Sequence, residues 1–330
     1  MKQNNLGKSA LKVTEIGFGC WAIGGGANWG EQEDRDSCEA VQAALDCGIT
    51  FFDTAEVYGR GKSEQVLAQG LGNRRDEAFI ATKVSPGHFE PALLREACER
   101  SLTNLKTDRI DFYQMHWPAT TFPVGAAVAT LEQLVSEGKI RDYGVSNFGP
   151  SQLADYLAAG GRATTNQIAY SLLFRATEYE VIPASQKAGL GILAYSPFLQ
   201  GLLTGKVRSL EDVPVGRQSI RHYSSTNGNA RHGEAGHEAL TFETVERIRT
   251  ICEEINRPMG DVAIRWLLDR GQVTSVLVGG RNGSQVRRNA AAAADPLGED
   301  VLSALDAASE PLKEAMGRNP DLWQSESRTR

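Results

Sequence analysis

No apolar run in the 330 residues reaches the roughly 20 needed to span a bilayer. The opening stretch Met1-Lys2-Gln3-Asn4-Asn5-Leu6-Gly7-Lys8 has no apolar centre of the kind a secretory signal carries, so a cytoplasmic chain is expected. Cysteine is sparse: Cys20, Cys38, Cys47, Cys98 and Cys252 are scattered, odd in number and form no Cys-x-x-Cys pair. That argues against a disulfide framework and against structural zinc, and no metal is expected. Cys38, Cys98 and Cys252 fall in helical patterns as small apolar residues. Cys20 has no basic neighbour in sequence to depress its pKa, which speaks against a catalytic thiol. Neither sign of charge dominates. With 35 Lys and Arg against 41 Asp and Glu, and aromatics at 7% without basic interleaving, neither nucleic acid nor an anionic membrane is expected as a partner.

A 41% hydrophobic content is present, enough for a sizeable core, and its pattern alternates. Strand-like runs begin near Val13, Ile49, Ala78, Ile110, Ile140, Ala163, Gly191 and Val273. Between them, residues 34–47, 90–105, 124–137 and 151–159 carry helical periodicity, with Pro91 in a first turn and Gly48, Gly138 and Gly160 as stops. Pro183 must break or begin a further helix. Parallel strands need crossovers, so this alternation implies a parallel sheet. An open doubly wound sheet is possible, but eight such units favour closure into a (β/α)8 TIM barrel. A short N-terminal hairpin over residues 2–13, turning at Gly7-Lys8-Ser9, precedes it and a C-terminal helical extension follows. Residues 1–330 form one domain in this reading. The irregular segment 200–240 is either functional or disordered, and the tail 324–330 is expected to fray.

Barrel enzymes place their chemistry at the C-terminal ends of the strands. Those ends carry Cys20-Trp21, Asp53, Lys83, His116, Ser146-Asn147, Gln167, Tyr195-Ser196 and Gly279-Gly280-Arg281. In Ile49-Thr50-Phe51-Phe52-Asp53-Thr54-Ala55-Glu56-Val57-Tyr58-Gly59 an apolar run ends at a carboxylate, and a phenol follows five positions later. Alone, Asp53 could cap a helix, Tyr58 cover a loop, Lys83 snorkel and His116 sit in a core. Four such residues on one rim are hard to produce by packing.

These residues resemble the aldo-keto reductase family over nearly the whole chain. The resemblance rests on Asp53-Thr54-Ala55-x-x-Tyr58-Gly59 with Ser63-Glu64, on Lys83, His116-Trp117-Pro118 and Gly144-Val145-Ser146-Asn147-Phe148, and on Tyr195-Ser196-Pro197 with Gly201-Leu202-Leu203-Thr204-Gly205-Lys206. It implies an NADP(H)-dependent reduction of aldehydes or ketones, reversible, with the tetrad Asp53, Tyr58, Lys83 and His116 and with Tyr58 as general acid and base. A lysine about 4 Å from the phenol, at an effective dielectric near ~20, would favour the phenolate by about 4 kcal/mol, or about three pKa units. By the same resemblance Ser146, Asn147 and Gln167 bond the nicotinamide carboxamide, and Tyr195, next to Ser196, stacks on its ring. Lys206 or Arg217 reaches the pyrophosphate, and Gly280, Arg281, Gln285 and Asn289 meet the adenosine end. An arginine there favours NADP(H) over NAD(H). Val278 and Arg288 depart from the family pattern, the latter standing where an acidic adenine contact is frequent. Trp21, Trp29, Trp117 and Phe148 would wall a pocket for a small substrate, closed by the Trp323 region. The alternative is a cofactor-binding regulatory subunit of the potassium-channel β type.

Three patterns are decoys. Gly17-Phe18-Gly19-Cys20-Trp21-Ala22 opens no helix, and Gly61-Lys62-Ser63 lacks the earlier glycine of a phosphate loop. His222, His232 and His237 with Glu234 and Glu238 match no common ligand spacing, and a solvated loop is expected there.

Overall fold

The computed structural model describes residues 1–26, 28–119, 121–227 and 229–330. Strands β1 (Gln3–Asn5) and β2 (Lys12–Thr14) form the expected antiparallel hairpin, with Asn4 opposite Val13. Eight parallel strands follow: β3 (Ile16–Gly19), β4 (Phe51–Asp53), β5 (Phe79–Val84), β6 (Ile110–Met115), β7 (Ile140–Ser146), β8 (Thr165–Ala169), β9 (Gly191–Tyr195) and β10 (Val273–Gly279). They close in chain order, with β10 paired to both β3 and β9, as the alternation implied. The strand-like run from Val13 divides at Glu15, whose backbone N–H bonds Lys2 O. Its first residues belong to the hairpin floor and its last to the wall.

The crossovers are α1 (Asp34–Asp46), α2 (Lys62–Leu71), α3 (Pro91–Leu105), α4 (Val124–Ser136), α5 (Pro150–Ala158), α6 (Val181–Ala188), α7 (Glu238–Glu254), α8 (Met259–Leu268) and α9 (Gly283–Ala291). The extension α10 (Glu299–Met316) packs on α7. Pro183 is the third residue of α6, where its missing N–H costs nothing. Among the described residues no helix is long and apolar enough to cross a membrane.

Side chains alternate along a strand, so Phe51 and Asp53, Ala81 and Lys83, or Phe112 and Gln114 share the inward face. The lower part of that face is a dry plug of Leu6, Val13, Phe51, Ala81, Phe112, Leu193 and Leu277, capped by the hairpin. The upper part is polar. Gly144 leaves room for the plug: a Cβ there would lie 2.7 Å from the Phe112 ring and 2.8 Å from Thr164 Oγ1.

Two expectations fail here. The histidine-rich stretch is not a solvated loop. Ile220, His222 and Tyr223 are buried, His222 Nε2 lies 2.7 Å from Leu173 O as its donor, and His232 is largely covered. Apolar neighbours on either side drag the imidazole inward. The described part of the segment begins with short 3-10 turns at Leu199–Thr204, Leu210–Asp212 and Val215–Arg217, and residue 228 lies outside the described residues. The tail does not fray either. Arg328 forms a two-pronged ion pair with the buried Asp321 (2.7 and 2.9 Å), and Arg330 O accepts from Ser151 N at 3.0 Å. Polar composition reads as solvation only while its partners are out of view.

Gly144→Ala should destabilise the barrel by about 1–3 kcal/mol through overpacking, measured by urea unfolding. No measurable loss would mean that the plug has slack. Burial pulls His222 down to about 4 from 6.5. Between those values the unfolded chain binds the extra proton, so stability falls as pH drops through this window, by up to about 3 kcal/mol. Unfolding at pH 7 and pH 4.5 should show that loss shrinking in His222→Gln; an equal loss in the variant would remove His222 as its source.

Candidate functional site

Asp53 ends β4, Lys83 is the inward residue near the top of β5, and His116 lies just beyond β6. Tyr58 begins a 3-10 turn after β4, where Gly59 and Arg60 in left-handed conformation bend the chain back over the rim. The register pairs Gly19 with Asp53, Asp53 with Ala81 and Lys83 with Gln114, bringing these strand ends to one level.

Lys83 is fully buried, and each of its contacts serves the cluster. Its Nζ donates to Asp53 Oδ1 at 2.5 Å and to Thr54 O at 2.8 Å, and stands 3.4 Å from Tyr58 Oη. Asp53 Oδ2 accepts from Gln114 Nε2 (3.0 Å) and Gln167 Nε2 (2.8 Å). The His116 ring meets Tyr58 edge-on, centroids 5.7 Å apart. All four expected residues therefore converge. Gln114 was missed, although its place two residues before His116 on one strand face made it legible. Ser63 and Glu64 act behind the site: Ser63 Oγ bonds Cys20 O and Thr54 Oγ1, and Glu64 accepts from Thr82 Oγ1 at 2.7 Å.

The electrostatics reverse one expectation. Burial pushes the Tyr58 phenol above 10.0 and outweighs the lowering by Lys83, while Asp53 raises it further. The lysine is too fully engaged with its own carboxylate to win. Burial alone would lower Lys83, but Asp53 at 2.5 Å lifts it above its usual value, so it is an ammonium. Burial, then Lys83 and Arg328, hold His116 well below 6.5 as neutral imidazole. Burial likewise keeps Cys20 a thiol. At neutral pH the rim thus carries a cation, a carboxylate, a protonated phenol and a neutral imidazole.

Above them opens a cleft of about 1350 Å³. On one side Trp21 stacks on Tyr58 (5.8 Å) and meets Trp29 and Trp323 edge-on, and Trp117 stands opposite beneath the Arg328 guanidinium at 3.5 Å. Phe148 is not part of this wall. It is 2% exposed and packs on Tyr156, because the chain turning into α5 directs it outward into the helix layer. Along the other side Ser146, Asn147, Gln167, Tyr195 and Ser196 line the cleft. Tyr195 Oη donates to Asn147 Oδ1 (2.9 Å), and Gln167 has committed its amide nitrogen to Asp53, leaving its carbonyl oxygen.

Farther along come Lys206 and Arg217, then Gly280 and Arg281 in the turn before α9, Gln285 in its first turn, and Arg288 and Asn289 toward its end. Arg217 lies over Trp29 at 4.8 Å, and Arg281 bonds Gln32 Oε1 and Glu31 O, so two arginines tether the loop after β3 across the cleft. Asn289 and Gln285 brace the turn through Gly279 O and Arg281 N. Asp261 lines the cleft beside Arg288, a carboxylate from α8 that no motif indicated.

A sequence model of the Aldo/keto reductase family matches residues 15–310. Aldo-keto reductase YhdN of Bacillus subtilis is 31% identical over 296 residues, 87% of each chain. The NADH-specific methylglyoxal reductase of Escherichia coli is 31% identical over 88% of this chain and 93% of its own. Among solved structures, an aldo/keto reductase from Klebsiella pneumoniae in complex with NADP and acetate superimposes with a TM-score of 0.72, at 27% identity, over 93% of this chain and 95% of that one.

Lys83→Met would leave Asp53 buried with only amide donors, at a cost of about 3–5 kcal/mol. Denaturant unfolding of this variant, beside the double variant with Asp53→Asn, should show the double recovering part of the loss. A single-variant loss below about 1 kcal/mol would deny the pair its structural weight.

Proposed function

Since the chain belongs to the aldo/keto reductase family, we propose that it is an NADP(H)-dependent oxidoreductase that reduces small aldehydes or ketones to alcohols and runs the reverse reaction on alcohols. The observation that carries this reading is the protonated Tyr58 beside an ammonium and a neutral imidazole at the floor of one cleft.

The cleft suits the cofactor by its donor set. Ser146, Asn147 and the Gln167 carbonyl would meet the nicotinamide carboxamide, with the Tyr195 ring against the nicotinamide. Lys206 and Arg217 would meet the pyrophosphate. Arg281, with Gln285 and Asn289 beside it, would take the adenosine end; its Nε and Nη2 are engaged by Gln32 and Glu31, and its remaining Nη1 and its charge would suit a ribose phosphate, which favours NADP(H) over NAD(H). Asp261 would supply the acidic adenine contact that Arg288 cannot. When bound, the reduced nicotinamide supplies the hydride.

The protein's own part is to hold the carbonyl and deliver a proton. His116, as neutral imidazole, donates a hydrogen bond to the substrate oxygen and adds no competing positive charge. Tyr58 gives its proton to that oxygen as negative charge develops there. The phenolate left behind faces the Lys83 ammonium at 3.4 Å, a stabilisation realised only once charge has moved. Asp53 keeps Lys83 charged and in place. In the alcohol-oxidising direction the same phenolate is the base. The tryptophans lining the mouth favour a small, partly apolar carbonyl. The regulatory-subunit alternative leaves this complete proton-transfer set without a use.

Tyr58→Phe should lower kcat for NADPH-dependent aldehyde reduction by about 100-fold or more while NADPH binding, followed by fluorescence, persists. Near-normal turnover would take Tyr58 out of the role. Ultraviolet difference titration of the free protein against the same variant should show no Tyr58 ionisation below pH 10, because burial outweighs Lys83. An ionisation near neutrality would overturn that balance. NADPH should show a lower KM than NADH, and the opposite order would reassign Arg281.

A further inference from the structure

Asn147, at the end of β7, has a left-handed backbone (φ +62°), a region that asparagine enters more readily than other residues with side chains, and its contacts fix it there. Its Nδ2 donates to His116 O (3.1 Å) and Ser146 Oγ (2.9 Å), and its Oδ1 accepts from Tyr195 Oη (2.9 Å). Its N–H bonds Gln167 O (2.8 Å). The backbone carbonyl of Asn147 accepts from Thr329 Oγ1 at 2.8 Å, a contact from outside the barrel and 182 positions away in the chain.

The next residue extends this contact. Arg330 O accepts from Ser151 N (3.0 Å) and Ser151 Oγ (2.9 Å) at the first turn of α5, and Gln152 bonds Arg328 O and Arg330 N. Gly149 records how closely this segment is seated. Its backbone (φ −87°, ψ −179°) is open to any residue, yet a Cβ would stand 2.3 Å from Arg330 O and 2.5 Å from Arg330 N. The absence of a side chain at 149 is a requirement of the incoming segment, not of the local turn. Upstream, Arg328 is clamped by Asp321 and covers Trp117, the neighbour of His116.

We propose that residues 328–330 are a peg that positions the proton-transfer and nicotinamide ends of the site, with Thr329 as a positioning residue acting through Asn147 on Ser146 and the His116 loop. Thr329 is 5% exposed and reaches the cofactor side only through that carbonyl. The proposal rests on the cofactor reading above for its effect on binding, and on geometry alone for the pinning.

The test uses the full chain with Thr329→Val, Thr329→Ser and Gly149→Ala, and NADPH as the probe. Thr329→Val, which keeps shape and loses the hydroxyl, and Gly149→Ala, which displaces Arg330, should each weaken NADPH binding about fivefold or more. Both should quicken hydrogen exchange in residues 146–152 of the free protein, leave exchange in β4 unchanged and hold Tm within about 4 °C. Thr329→Ser should restore wild-type behaviour, and combining Thr329→Val with Gly149→Ala should add little to the stronger single effect. Wild-type NADPH affinity in both variants, or wild-type exchange over residues 146–152, would overturn the peg. Failure of the unaltered protein to bind NADPH would instead overturn the cofactor reading, and the exchange comparison would then decide the peg alone.

Discussion

A lysine ammonium with no solvent exposure is the constraint around which this protein is arranged. A buried charge is tolerated only when its counter-charge and its hydrogen bonds are all supplied. Lys83 has Asp53 Oδ1 and Thr54 O, and Asp53 in turn has the amides of Gln114 and Gln167. Those partners come from β4, β6 and β8 and Lys83 itself from β5, so meeting the charge fixes the relative height of half the barrel. The apolar plug beneath does the complementary job: it excludes water from below and leaves the polar layer open only toward the cleft.

The same pairing explains why Tyr58 holds its proton at rest and, in the proposed reaction, why it could give that proton up as charge develops nearby. In the resting protein the Asp53–Lys83 pair is nearly self-compensated, so burial rules and Tyr58 stays a phenol. Lys83 remains within reach of the oxygen, however, and any charge that arrives on Tyr58 finds it. A free lysine would have ionised the tyrosine too early. An absent one would leave the phenolate without support. The pairing sets the intermediate condition.

Around this rim the loops do separate work. The segment after β3 is tied to Arg217 and Arg281 across the cleft, the 200–240 segment is held by its own buried residues, and the chain beyond α10 wraps back to Trp117 and Asn147. In the proposed function, substrate shape and cofactor choice would depend on contacts among these three segments, which share no periodic pattern. Gln114 was readable, since strand alternation places it beside His116 in the inward row. Phe148 was misread, since its position past a strand end says nothing of which way the turn into α5 throws the ring. His222 and the 324–330 tail were misread for one shared reason: polar residues declare themselves solvated unless the groups that satisfy them are known.

What the sequence by itself determined was governed by short-range periodicity: the eight parallel strands, the crossover helices α1, α3, α4 and α5, the hairpin floor, and the four chemical groups brought to one rim. Alternation and helical repeat are local properties, and they translate directly into which face a side chain occupies. Only the tertiary structure decided whether Tyr58 keeps its proton, that the amide nitrogen of Gln167 and not its carbonyl oxygen is already spent, and that Thr329 and Arg330 close on Asn147 and Gly149. Those outcomes depend on burial and on contacts between segments remote in the chain, and both are set only after the barrel has closed.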